Sequence, residues 1–231
     1  MAALVATSDV IVSVCPPHAA RDVATEVAGT GFDGIYVDAN AVAPALAEDI
    51  AGLFMHFVDG GIIGPPPVRP GTTRLYLSGA AAAEVAGLWK GSVLGASVLP
   101  GPIGAASSLK MAYAGWTKGS AALLLAMRAY AEAVGVGDAL VGEWLLSQQA
   151  LVDRIERSVA SLAAKAWRFE GEMEQVAASL EAVGVAPGFH EAAASVYGAL
   201  ADLKGADSPS LGDLIARLAP TPDAPAGGTH R

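Results

Sequence analysis

Lys110 is the residue from which chemistry is most readily built. It lies a turn or two inside residues 101–119, which begin as a loop broken by Gly101, Pro102 and Gly104. They continue as an apolar helix of Ala, Leu, Met and Tyr. A lone amine in such company either snorkels to water or lines a cleft between two domains. Helical spacing puts Lys110, Ala114 and Thr117 on one face, with Tyr113 and Lys118 beside it. That face is more polar than the rest of the helix, which favours the cleft. Three further candidates lie upstream: Cys15-Pro16-Pro17, Asp38-Ala39-Asn40 and Asp59-Gly60-Gly61 each follow a short apolar run. In an open parallel sheet, ligands bind at the carboxyl ends of the strands. Each segment alone reads as ordinary turn punctuation. Together, with Lys110 following, they outline a site.

Other chemistries find little support. His18, His56, His190 and His230 have no metal-ligand spacing, and Cys15 is the only cysteine, so neither a metal centre nor a disulfide is expected. His190 opens a helix, where capping or surface duty is its plain reading. There is no Gly-x-Ser-x-Gly elbow and no Walker loop. Trp167-Arg-Phe-Glu-Gly-Glu-Met173 reads as helix packing with a solvated face. A net charge of -9 leaves no basic stripe for nucleic acid or for an anionic membrane surface. No stretch reaches the roughly 20 apolar residues of a membrane span. The first residues lack the basic start of a signal peptide, so a cytoplasmic protein is expected.

The chain's 231 residues suffice for one or two domains. Residues 10–14, 34–38, 55–59, 72–78 and 93–99 read as strands. Helices are expected over 19–28, from about Pro44, and over 80–88. Alternation of this kind predicts a parallel, doubly wound sheet. From Ala105 the chain reads as helical only: one long apolar helix to about Val134, then helices over 138–148, 151–184 (as one helix or broken), 189–204 and 207–218. The expected organisation is an α/β domain over 1–100, an all-helical domain over 101–218 led by an interdomain helix, and a disordered tail over 219–231.

These residues resemble the β-hydroxyacid dehydrogenase superfamily, which includes 6-phosphogluconate and 3-hydroxyisobutyrate dehydrogenases. Val14-Cys-Pro-Pro17 is similar to the family's proline-ended strand, and Asp38-Ala-Asn-Ala-Val-Ala-Pro44 to its next strand end. Asp59-Gly-Gly-Ile-Ile-Gly64 corresponds loosely to the substrate loop, Asp-x-x-Val-Ser-Gly-Gly. Gly104 followed by Lys110-Met-Ala-Tyr-Ala-Gly115 matches the lysine motif, the most specific part of a resemblance covering roughly residues 5–204.

The resemblance implies an incomplete Rossmann-like sheet with a helical domain behind it, and hydride transfer between NAD or NADP and a small hydroxy acid, carbonyl or imine. It makes Lys110 the general acid/base; an amine desolvated in a closed cleft has its pKa lowered toward neutrality. It sets Cys15, Pro16, Pro17 and Asn40 against the cofactor. Asp59, Gly60 and Gly61 would face substrate, with Tyr113, Thr117 and His190 as further substrate residues. It also implies a homodimer packed through the helical domains. Two departures bear on substrate. Ala114 stands where the family has a substrate-orienting Asn, and Thr117 stands where the decarboxylating enzymes have a Glu. Neither 6-phosphogluconate nor decarboxylation is therefore expected. A third departure is larger: no Gly-x-Gly-x-x-Gly turn precedes Asp9, so roughly 60 residues of the pattern (about two βαβ steps) are missing. A start placed too late, or a true truncation, would account for it. The alternative to an enzyme is a non-catalytic, dimerising paralogue.

Overall fold

The computed structural model describes residues 1–219; of the expected tail over 219–231, all but Ala219 lies outside the described residues. The described chain forms two compact units. The first comprises Met1–Thr117 with Gly171–Glu191, the second residues 118–170 with 192–219.

In the first unit, β-branched runs make the sheet. Its strands are β1 (Val10–Ser13), β2 (Ile35–Asp38), β3 (His56–Ile63), β4 (Arg74–Ser78) and β5 (Gly95–Val98), lying in sequence order. The helices on its faces are α2 (Ala20–Ala28), α3 (Pro44–Ala51) and α4 (Ala82–Leu88), after a short helix α1 (Ala2–Val5) that sequence patterning misses. Every residue of β2 is buried, as in a strand covered on both sides. On one face Ile11, Tyr36 and Phe57 pack under Ala24 and Val27 of α2 and Ile50 of α3. The Tyr36 ring stacks on Phe54 at 4.1 Å. On the other face Val37, Val58, Leu75 and Leu77 pack against Ala82 and Val85 of α4.

The sheet departs from the expected parallel order at one place. β1, β2 and β3 run parallel, but β4 pairs antiparallel with β3, from Asp59↔Ser78 to Ile63↔Arg74, and β5 follows β4 in parallel. The cause is the link. Only the proline-rich residues 64–73 join β3 to β4, too few for a crossover helix, so the chain must return as a hairpin. The third strand also runs four residues past Asp59, so Asp59-Gly60-Gly61 lies inside a strand and not at its end.

The remaining helices are α5 (Ala105–Ala133), α6 (Gly137–Ser147), α7 (Gln149–Glu181), α8 (Gly188–Gly198) and α9 (Leu211–Leu218). The seventh is unbroken, and the eighth ends at Gly198, with a separate 3-10 turn at Ala201–Leu203. In the second unit Phe169 meets Tyr197 edge-on at 5.3 Å, and the Tyr197 hydroxyl donates to Lys118 O at 2.9 Å. Burial holds the Tyr197 phenol well above its usual range. The Lys204 ammonium lies 3.7 Å over the Trp167 ring. A Ser210/Asp213 capping box starts α9. Among the described residues, no helix is long and apolar enough to cross a membrane, and no group of three His, Cys, Asp or Glu is placed to hold a metal ion.

Candidate functional site

The first N–H groups of a helix have no partner within it. For α5 the sheet supplies partners. Ala106 N donates to Ser78 Oγ at 3.1 Å, and Ser107 N donates to Asp59 Oδ2 at 3.0 Å. The Ser107 hydroxyl donates to Asp59 Oδ1 at 2.6 Å, and the Ser78 hydroxyl to Oδ2 at 2.9 Å. Asp59 is fully buried, and its carboxylate faces the positive end of the helix dipole. Upstream, Gly104 at φ +91° turns the chain into the helix.

The glycine pair follows from the same docking. A Cβ on Gly61 would stand 2.7 Å from Ala106 O and 3.2 Å from Lys110 Cβ; one on Gly60 would stand 3.0 Å from Asp38 O. Helix α5 and the end of β2 thus press on successive residues of β3, whose side-chain positions point to opposite faces, and leave little room for a side chain at either. Lys110 then lies across the strand, half-buried, its Nζ donating to Ile62 O at 2.7 Å.

A second network ties the ends of β1 and β2. Asn40 Oδ1 accepts from Cys15 N at 2.5 Å, and Asn40 Nδ2 donates to Ser13 Oγ at 3.0 Å and to Asp38 Oδ2 at 3.1 Å. Asn40 N donates to Asp38 Oδ1 at 2.9 Å. Burial pushes the Asp38 carboxyl up; the Asn40 hydrogen bonds pull it back, and the Asp59 charge adds to the rise. Burial likewise raises the Cys15 thiol and takes the Tyr36 phenol up to about 12.

The expected residues fall into three groups. Asp59, Gly60 and Gly61, expected against substrate, seat α5 on the sheet, with the Asp59 oxygens engaged by Ser78 and Ser107. Cys15 and Pro16 are half-buried over the Asn40 network, while Pro17 is buried and Asn40 is spent on tying the strand ends. On α5, Ala114 is buried, Tyr113 is exposed, and the Thr117 hydroxyl donates back to Tyr113 O at 2.9 Å. His190 is not on the Lys110 face. Its Nε2 meets Gly115 O at 3.2 Å, and Gly115 lies five residues on, about 140° round the helix from Lys110. Sequence reading missed Ser13, Ser78 and Ser107. The signal was present: an Asp in an apolar strand requires buried donors, and Ser107 and Ser108 open the helix that reaches it.

The implied nicotinamide cofactor fits this arrangement in part. Cys15 and Pro16 offer a surface over a floor locked by Asn40, on which a planar ring could rest. Gly29-Thr-Gly-Phe-Asp-Gly34 has the Gly-x-Gly-x-x-Gly spacing, but it joins the end of α2 to β2, so among the described residues no such turn follows a strand and opens a helix as a pyrophosphate loop does.

Comparison with known proteins agrees with this fold. Residues 131–200 match the family model described as Domain of unknown function (DUF1932). An uncharacterized 28.5 kDa protein of Methanothermus fervidus, encoded in the 7S RNA 5' region, is 35% identical over 140 residues, 60% of this chain. The match spans only 54% of that relative, about half its length. Among solved structures, a conserved hypothetical protein from Sinorhizobium meliloti 1021 superposes with a TM-score of 0.69 at 24% identity, covering 94% of this chain and 76% of its own. The conserved protein MTH1747, of unknown function and described as structurally similar to 3-hydroxyacid dehydrogenases, gives a TM-score of 0.63 at 24% identity, covering 85% of this chain and 76% of its own. The fold shared with these structures is a mostly parallel Rossmann-like sheet followed by helices.

Proposed function

We propose that this chain carries the reacting part of an NAD(P)-dependent oxidoreductase of the β-hydroxyacid dehydrogenase type, with Lys110 as its acid/base. One observation carries the reading. In a chain of this fold, a half-buried amine is held at 2.7 Å on a strand carbonyl, by a helix whose N-terminus is bonded to the sheet. Three anchors set its position: Asp59 at the helix start, Gly61 at the crossing and Ile62 O at the amine. In the oxidative direction a neutral Lys110 takes the proton of a hydroxyl on a small hydroxy acid; in the reductive direction its ammonium gives a proton to the oxygen or nitrogen of a carbonyl or imine substrate as the carbon receives hydride. When bound, the nicotinamide exchanges the hydride. Cys15 and Pro16 line its place and Asn40 keeps that surface rigid. Asp59, Gly60 and Gly61 belong to this site as its scaffold.

The test is titration of the chain with NADH and NADPH, following nicotinamide fluorescence, beside a form extended at its N-terminus by a glycine turn. Saturable binding is expected by the extended form at least, at roughly micromolar to millimolar nucleotide. Failure of both forms overturns the reading and favours the non-catalytic alternative.

A homodimer belongs to the same proposal. On α5 and the residue just after it, Leu123, Met127, Tyr130 and Val134 are 50%, 44%, 62% and 51% exposed at i, i+4, i+7 and i+11, an apolar seam with the spacing of coiled-coil a and d positions. In sedimentation the wild type is expected as a dimer and a Met127→Glu/Tyr130→Glu variant as a monomer. A wild type that stays monomeric at all concentrations would refute the dimer.

A further inference from the structure

Four buried polar side chains stand in register across the sheet. Ser13 of β1 is level with Asp38 of β2, Asp38 with Asp59 of β3, and Asp59 with Ser78 of β4. Register partners on neighbouring strands point to the same face, so the row sets two carboxylates side by side, away from water. A charge on one such carboxylate favours a proton on the other.

Hydrogen bonds make the two unequal. Asp59 accepts from three donors, Ser78 Oγ, Ser107 N and Ser107 Oγ, at the positive end of α5. Asp38 accepts from two, and both belong to Asn40, its N and its Nδ2. The charge therefore rests with Asp59 and the proton with Asp38. Burial raises the Asp38 carboxyl most, the Asn40 bonds draw it down, and the Asp59 charge raises it again.

The neighbouring elements bring no compensating charge to Asp38. Tyr36 on its own strand and Cys15 after β1 both feel the Asp38 charge as one that raises them. On α2 and α3, the helices over this face, Arg21, Asp22, Glu26, Glu48 and Asp49 are all exposed, and Arg21 pairs with Asp49. Helix α7 reaches the segment after β2 with the neutral Gln175, whose Oε1 accepts from Ala43 N at 2.8 Å. On α5 the Lys110 amine donates to Ile62 O, three residues beyond Asp59.

We propose that this row is a proton switch: Asp38 takes up and releases one proton beside the charged Asp59, and so changes how Asn40 holds the backbone of Cys15. Ionised, Asp38 fixes Asn40 through two charge-assisted bonds while Asn40 Oδ1 accepts from Cys15 N. Protonated, it holds Asn40 less tightly, and the surface formed by Cys15 and Pro16 loosens. The switch does not rest on the oxidoreductase reading, which places nicotinamide on that same surface. Folding keeps this proton more tightly than the unfolded chain does. The Asp38 contribution to stability is therefore present below the free carboxylate range and is lost as pH rises through the Asp38 midpoint.

The experiment follows the Asp38 Cγ and Cys15 amide resonances of 13C,15N-labelled protein against pH. Both are expected to titrate with one midpoint, above the value of about 3.9 for a free aspartate. Asp59→Asn is expected to lower that midpoint, because it removes the repelling charge. Asn40→Ala is expected to raise it, because it removes the bonds that favour ionisation. In Asp38→Asn, a neutral side chain of the same shape, the Cys15 amide is expected near its acid-limit position at every pH. An Asp38 midpoint at or below the free value, or one that either folded variant leaves unmoved, overturns the switch. A Cys15 amide indifferent to that midpoint, or still titrating with it in Asp38→Asn, overturns the link through Asn40. These shifts in a chain that binds neither NADH nor NADPH overturn only the oxidoreductase reading.

Discussion

Asp59→Ala is expected to lower the unfolding free energy by about 3–5 kcal/mol, the largest stability effect predicted for the first unit. The carboxylate accepts three hydrogen bonds, from Ser107 N, Ser107 Oγ and Ser78 Oγ, at a site with no exposed surface. Removal strands those donors away from water, and each buried unmet group costs about 1–3 kcal/mol. It also removes a negative charge from the positive end of α5. Asp59→Asn keeps the volume and one acceptor oxygen, so it should cost roughly half as much. Denaturant midpoints check the magnitudes. Amide exchange at Ala106 and Ser107 checks the mechanism, because those two amides should lose protection before the rest of the helix. Wild-type protection there in the Ala variant would remove Asp59 from the anchoring role. Against a typical net stability of about 5–15 kcal/mol, the loss leaves little margin.

That result bears on what could be read from the chain alone. Element types were legible because they depend on short-range pattern: the β-branched runs at Val10 and Ile35, the glycines before Ala105, and the long alanine- and leucine-rich stretch after it. The direction of β4 was not legible from strand pattern. It follows from the length of the link after Ile63, and four prolines in residues 64–71 leave that link no helix to form. The site divides similarly. Lys110 stands out as one amine on an apolar helix, a contrast visible in one dimension. Asp59, Gly60 and Gly61 drew notice for the right residue types but with an expected contact to substrate. A buried carboxylate capping a helix 48 residues away in sequence leaves no periodic trace. Likewise Asn40 looks like a strand-end ligand and instead spends its amide on the Cys15 backbone and on Ser13. Buried polar side chains are legible as a demand for partners, while the identity of those partners depends on the fold.

Lys110→Met tests the chemistry, and its expected effect is the largest on activity. With whichever hydroxy acid, carbonyl or imine the chain turns over, the variant should lose about 10²–10⁴ in kcat, the usual contribution of a positioned acid/base. Methionine retains much of the apolar stem that crosses β3 at Gly61, so α5 should stay docked on the sheet. It forfeits the bond from Nζ to Ile62 O, a loss of about 1 kcal/mol in stability at most, because that carbonyl can be met by water at a half-buried site. Nucleotide affinity should change by no more than about twofold, since Cys15, Pro16 and Asn40 are untouched and binding and chemistry separate in such a variant. Three outcomes thus divide the possibilities. A fall in kcat with intact nucleotide binding supports Lys110 as acid/base. A parallel fall in stability and binding makes it a structural crosspiece between α5 and β3. Unchanged turnover moves the proton transfer to another group, with Tyr113 and Thr117 of α5 next in line.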